Sequence, residues 1–238
     1  MSSDLSQITI TDIRLLSLLQ LSDSFFPTGA FTQSYGLETY VQDGMILDKN
    51  TLSKILETYL LESLATSDSP AMLLAYRAEA SGDWNRILEL DAILTAQKLA
   101  RESREASQNT GKRMLRAVLG LFPDKRLEQL NELVRLEKTF GNHAIIYGLT
   151  ARVIGLGESE AALGFAYTSV AGIVNNAVRL IPLGQNDGQW VLLSLADVIR
   201  KAAGKSFTIS VEELGVTAPA LEIRSMQHER LYSRLFMS

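Results

Sequence analysis

Apolar residues recur along most of this chain with the spacing of an α-helix. In residues 52–60 they fall at i, i+3, i+4, i+7 and i+8, which places them on one stripe of a helix: Leu52, Ile55, Leu56, Tyr59 and Leu60. Residues 114–122 and 191–202 repeat this spacing. Alternating apolar and polar positions, which would indicate strands, are scarce. The pattern therefore predicts an all-α fold.

The length of the chain and its helix-breaking residues predict how the helices are organised. With a mean helix of about 11–12 residues and short connections, the chain holds roughly eight to ten helices. We predict a single-domain bundle over residues 1–203, a linker over 204–218 and a C-terminal tail over 219–238. In the linker, Ser210 and Glu213 have capping-box spacing, which predicts one short helical turn.

One uncharged stretch could suggest a membrane span. Residues 161–178 contain no charged side chain and reach the lower length limit of a transmembrane helix. The stretch also holds Thr168, Asn175 and Asn176, whose polar groups are costly in lipid. We therefore expect a buried core helix and no membrane partner. Because no basic region precedes an apolar run at the N-terminus, we expect a cytoplasmic protein.

Composition narrows the possible chemistry. The chain has 23 basic and 27 acidic residues, so no overall positive field favours nucleic acid. It has no cysteine, and its two histidines, His143 and His228, are far apart in sequence. Thiolate sites and short-spaced histidine metal sites are therefore excluded, and we predict neither a metal site nor a cofactor. One alternative stays open, namely metal ligands from carboxylates or from the two histidines at the axis of a dimer.

The sequence motifs give no positive indication of an enzyme. Gly204-Lys205-Ser206 resembles the end of a phosphate-binding loop, but Ile199 stands where that loop needs glycine. The Gly-x-Ser-x-Gly and His-Glu-x-x-His signatures of hydrolases are absent. One alternative stays open, namely a helical enzyme or small-molecule binder that uses a pocket in the bundle.

Basic residues are concentrated in one segment. Residues 98–126 contain eight cationic and three acidic side chains, a net charge of +5. The simplest interpretation is a set of solvated helix faces. A second is a docking surface for an acidic protein, and a third is a nucleic-acid site.

Near the N-terminus, the sequence Phe-Phe-Pro-Thr-Gly at residues 25–29 predicts a tight turn between two helices. The second helix is expected over residues 31–43. It carries no lysine or arginine, which disfavours a DNA-reading helix. We expect a helix–turn–helix corner packed on the core.

Three ordered segments resemble the F-type urease accessory proteins. The first runs from Leu19 to Glu38, the second is Pro-Leu-Gly-Gln at residues 182–185, and the third is the ending around His228 and residues 232–236. The residues of the first segment that the resemblance marks as a structural signature are Gln20, Pro27, Gly29, Phe31, Ser34, Gly36 and Glu38.

The resemblance implies an all-helical protein without catalytic activity that works as a homodimer. It would bind the D-type (also called H-type) accessory protein and recruit or regulate the G-type GTPase, which together insert nickel into apo-urease. For binding the D-type protein we predict a set of tail residues: Met226, His228, Leu231, Tyr232, Arg234, Leu235 and Phe236. For the GTPase we predict Arg179 and Gln185, although Arg179 could instead cap the end of a helix.

Overall fold

The computed structural model describes residues 10–29, 36–232 and 234–236, and this part of the chain is helical without a strand. The predicted all-α fold is confirmed. The described residues form α1 (Ile10–Ser22), α2 (Leu37–Gln42), α3 (Lys49–Glu62), α4 (Asp68–Ser81), α5 (Trp84–Gln97), α6 (Arg101–Leu121), α7 (Lys125–Arg135), α8 (His143–Val153), α9 (Glu158–Leu180), α10 (Gln185–Ser194), α11 (Ala196–Ser206) and α12 (Pro219–His228).

These twelve helices exceed the expected eight to ten for two local reasons. Helix α2 has only six residues, and α10 and α11 are separated by Leu195 alone. Of the helix expected over residues 31–43, the described part is α2, and residues 31–35 lie outside the described residues. Gly36 precedes α2 with φ of 78°, a left-handed conformation that glycine adopts readily.

The centre of the bundle is the contact between α4 and α8. Small residues at this contact let the two backbones approach closely. A Cβ atom at Gly148 of α8 would collide with the carbonyl oxygen of Met72 of α4. Ala71, Ala75 and Ala144 are fully buried. Large apolar side chains from the other helices surround this contact and complete the core.

Helix α9 contains the uncharged stretch that could have suggested a membrane span. By length and composition it could cross a membrane, but 56% of its most apolar window is buried inside the fold. It packs against α1, α3, α4, α10 and α11. These contacts agree with the predicted buried core helix.

A buried carboxylate fixes the connection between α7 and α8. Asp91 of α5 is fully buried and accepts hydrogen bonds from the backbone N–H groups of residues 140–142, at 2.6 to 2.9 Å. The hydroxyl of Thr139 donates to the same side chain. The side-chain amide of Asn142 donates to it as well, at 2.8 Å. Because five donors converge on Asp91, the start of α8 is held against α5.

The segment predicted as a linker lies along the bundle. Its 3-10 turn covers Val211–Glu213. The N–H of Gly215 donates to the carbonyl of Thr66 at 2.9 Å, and the N–H of Thr217 donates to that of Glu62 at 2.8 Å. These hydrogen bonds thus fix the position of α12 on the rest of the bundle, α1 to α11, which is called the body below. The division of the chain at residues 203 and 218 stays a prediction.

Candidate partner-binding site

The tail packs against α2 and α6 through its helix α12. A Cβ atom at Gly36 would lie 2.9 Å from Oγ and 3.0 Å from N of Ser225, so the tail needs glycine at this position. The hydroxyl of Thr39 donates to the carbonyl of Arg224 at 3.1 Å. The tail therefore packs directly against Gly36, which belongs to the predicted signature.

Beneath the tail lies a group of four ionisable side chains, here called the anchor cluster: Glu38, Glu102, His228 and Arg234. His228 is fully buried, with Nδ1 2.7 Å from Glu102 Oε2 and Nε2 3.2 Å from Glu38 Oε2. Each ring nitrogen therefore has a carboxylate oxygen as its hydrogen-bond partner.

Both carboxylates of the anchor cluster also bind the chain beyond α12. Arg234 donates to Glu102 Oε1 at 2.7 Å. The backbone N–H groups of Leu235 and Phe236 donate to Glu38 at 2.7 and 3.1 Å. Because Glu38 and Glu102 are 4% and 8% exposed, these partners provide the stabilisation that water cannot. The anchor cluster thus holds the last described residues on the body.

Phe236 connects the tail to the end of α9. Its side chain is buried, and the guanidinium of Arg179 lies 5.5 Å from the centre of its ring. The structure thus brings together Arg179, predicted for the GTPase, and Phe236, predicted for the D-type protein. Arg179 also lies in the last turn of α9, as expected for a residue that stabilises a helix C-terminus. Gln185 is exposed at the start of α10.

The predicted tail residues divide between an inner and an outer side. His228, Arg234 and Phe236 contact the body, and Leu231 is half-buried. The outer face consists of three exposed side chains, with exposed fractions of 39%, 107% and 58% respectively: Met226, Tyr232 and Leu235. An aromatic and two aliphatic side chains thus project from a segment that is fixed from beneath.

Sequence reasoning missed two members of this site. Glu102 lies on the buried stripe of α6 with Ala106 and Met114, and a carboxylate on such a stripe was a usable signal. Ile223 is 52% exposed on α12 and borders the outer face.

The remaining signature residues lie in or near the turn after α1. Gln20 and Pro27 are exposed. Gly29 has φ of 71°, and a Cβ atom there would collide with the guanidinium of Arg113. Phe31 and Ser34 lie outside the described residues.

Two cavities inside the bundle bear on the alternative of a small-molecule enzyme. Both are lined by His143 and Ser169, and one also by Tyr147 and Asn175. Burial lowers the pKa of His143 to about 4 and raises the pKa of Tyr147. Within the described chain, the His143 ring contacts Tyr147 and Phe165 and has no carboxylate at hydrogen-bond distance to orient it. A neutral, unoriented imidazole is a poor general acid or base near pH 7.

Comparisons with known proteins point to one family. The family model described as UreF matches residues 46–196. The chain is 42% identical to the urease accessory protein UreF of Lachnoclostridium phytofermentans, over 95% of this chain and 100% of that protein. It is 36% identical to the protein of that name from Bacillus sp. strain TB-90, over 94% and 99%. The one from Kocuria rhizophila is 38% identical over 94% and 97%.

Proposed function

The chain belongs to the UreF family of urease accessory proteins, and we propose that it is a cytoplasmic, non-catalytic scaffold for nickel insertion into apo-urease. In this proposal the tail binds the D-type (H-type) accessory protein, and a neighbouring surface recruits or regulates the G-type GTPase. The single observation that carries the proposal is the outer face of the tail, which exposes apolar side chains on a segment anchored to the body.

The energetics of the outer face support a protein partner. Burying exposed apolar surface gains about 25 cal/mol per Å², and aromatic side chains are frequent anchors in interfaces. Tyr232 is fully exposed and Leu235 is 58% exposed, so both have surface left to bury. Because the anchor cluster already orders the segment, binding would cost less conformational entropy than binding of a free tail.

The test compares the outer face of the tail with an exposed apolar side chain elsewhere on the surface. We expect Tyr232→Ser combined with Leu235→Ser to weaken capture of purified D-type accessory protein at least tenfold, without nickel present. The matched control is Leu136→Ser, because Leu136 is 51% exposed after α7, away from the tail. Circular dichroism should be the same for all variants. Unchanged capture by the double variant would refute the tail as the binding segment.

For the GTPase we propose Arg179 and Gln185. The contact of Arg179 with Phe236 places this residue beside the tail, which supports neighbouring surfaces for the two partners. Arg179→Ala and Gln185→Ala are expected to reduce GTPase recruitment by the complex with the D-type protein. If Arg179 only stabilises the end of α9, Arg179→Ala will lower thermal stability and leave recruitment unchanged.

We further propose that the chain forms a homodimer through an apolar groove between α9, α10 and α11. Leu163, Tyr167 and Leu193 line the groove and are 41%, 42% and 77% exposed. A second copy of the groove would supply the apolar surface that these side chains lack. Leu193→Glu is therefore expected to halve the mass measured by sedimentation equilibrium. An unchanged dimer would exclude this groove as the interface.

A further inference from the structure

A third apolar surface lies far along α6 from the anchor cluster, between the turn after α1 and the C-terminal half of α6. We call it the turn groove. The residues that line it are Gln20, Asp23, Phe25, Phe26, Pro27, Arg116, Ala117, Gly120 and Leu121. Phe25 is 93% exposed and Leu121 is 50% exposed. None of the roles proposed above uses this surface.

Hydrogen bonds within the turn hold Phe25 outward. Its N–H donates to Asp23 Oδ1 at 2.8 Å, and the N–H of Phe26 donates to the carbonyl of Asp23 at 2.9 Å. The neighbouring Phe26 is buried and fixes the turn on the body. Phe25 is therefore presented by an ordered turn, and an exposed aromatic on an ordered segment is a typical interface anchor.

Beside the turn groove, positively charged side chains outnumber negatively charged ones. Among the basic residues of the 98–126 segment, Lys98, Arg101 and Arg126 pair with carboxylates. In the described part of the chain no ion pair involves the cations of the C-terminal half of α6, which are Lys112, Arg113 and Arg116. Asp23, whose Oδ1 already accepts the Phe25 N–H, is the one carboxylate that lines the groove.

Side chains of α1 extend the apolar surface beyond the turn. Ile13, Leu16 and Gln20 follow each other at i, i+3 and i+7, so they share one side of α1, and Gln20 lines the turn groove. Ile13 and Leu16 are 58% and 63% exposed. A ligand in the groove can therefore continue over about two turns of helix, which suits a peptide segment better than a small molecule.

We propose that the turn groove binds an acidic amphipathic segment of a partner protein, with large apolar side chains against Phe25 and Leu121 and carboxylates beside Arg113 and Arg116. The excess of unpaired cations at the groove selects for a negatively charged partner. Nucleic acid fits less well, because the chain as a whole has a net charge of −4 and only two of these cations lie here, Arg116 in the groove and Arg113 against Gly29 of the turn. This inference does not depend on the proposed roles of the tail.

The experiment uses the full-length chain and a labelled amphipathic 16-residue peptide, with leucine and phenylalanine at i, i+3, i+4 and i+7 and glutamate at the flanking positions. Its twin carries lysine in place of each glutamate. By fluorescence anisotropy we expect the acidic peptide to bind at least tenfold more tightly than the twin. Phe25→Ser and Arg116→Glu should each weaken binding of the acidic peptide at least tenfold.

Two matched control variants test whether the loss of peptide binding is specific to the turn groove. Tyr232→Ser removes an equally exposed aromatic from the tail, and Lys54→Glu reverses an exposed charge on α3, so neither should change peptide binding. Because Tyr232→Ser is also expected to impair capture of the D-type protein, failure of one proposal is distinguishable from failure of the other.

Four results would overturn the proposal: equal binding of both peptides, no effect of Phe25→Ser or Arg116→Glu, displacement of the peptide by a 20-nucleotide single-stranded DNA, or dissociation of a dimer by Phe25→Ser. The third result would identify a nucleic-acid surface, and the fourth would identify a second copy of this chain as the occupant.

Discussion

The contact between α4 and α8 and the attachment of the tail differ in the chemistry that holds them. The first is built from apolar and small side chains such as Ala71 and Gly148. The second depends on the anchor cluster, where two carboxylates meet His228 and Arg234. Apolar packing has little directionality, whereas buried ion pairs require each partner at its position.

Each region contains one of the two histidines. His143 at the start of α8 lies beside the rings of Tyr147 and Phe165, and burial lowers its pKa to about 4. His228 lies between two carboxylates. Around His143 the body is thus held by apolar packing, while its buried carboxylate Asp91 is satisfied at a different place, the start of α8. The tail, in contrast, is held by the anchor cluster, so we expect one substitution in that cluster to detach the tail while the body stays folded.

The largest expected effect follows from His228→Ala. Removing one partner from a buried ionic cluster costs about 3–5 kcal/mol, because Glu38 and Glu102 are left facing each other. The tail can detach and let water reach both carboxylates, so we expect the loss to be local. Hydrogen exchange should show lost amide protection in residues 219–236 and retained protection in α8. Equal loss in α8 would show that the two regions are not separable.

In the body, Gly148→Ala is expected to cost about 3 kcal/mol, because the added Cβ collides with the Met72 carbonyl and core overpacking costs about 1–3 kcal/mol or more. Urea denaturation measures the loss. The matched control is Gly204→Ala on α11, where no atom lies within 4 Å of the added carbon. This variant should be as stable as the unmodified protein or up to about 1 kcal/mol more stable.

The pKa of His143 predicts a pH dependence in the body. The pKa is lowered from 6.5 to about 4, so between these values the unfolded chain binds more protons than the folded one. The contribution of His143 to stability is therefore lost as the pH falls, by about 2 kcal/mol between pH 7.5 and pH 5. Denaturation of His143→Gln over the same range should lack this contribution. Parallel curves for the two proteins would contradict the assignment.

The smallest expected effect on stability is that of Tyr232→Ser. The side chain is fully exposed, so the free energy of unfolding should change by less than about 0.5 kcal/mol. Thermal denaturation checks this expectation. A larger loss would mean that Tyr232 supports the tail itself and does not belong to its outer face.

Local patterns predicted much of the fold. The apolar stripe over residues 52–60 lies within α3, and the uncharged stretch lies within α9, because helical periodicity is a property of neighbouring residues. The anchor cluster was harder to predict from the sequence. His228 and Glu38 were singled out through the family resemblance, but their contact joins positions 190 residues apart. Periodicity cannot pair such distant positions, and it did not indicate that Glu102 faces them.

The distance along the chain between Glu38 and its partners has a consequence during protein synthesis. The N–H of Leu235 lies 197 residues after Glu38. At about 5–20 residues per second, the ribosome makes this partner roughly 10 to 40 s after it makes Glu38. Until then Glu38 and Glu102 have to stay hydrated, so these two carboxylates cannot be buried before the tail has been made. In the nascent chain, this part of the body therefore stays hydrated until residues 234–236 have been made.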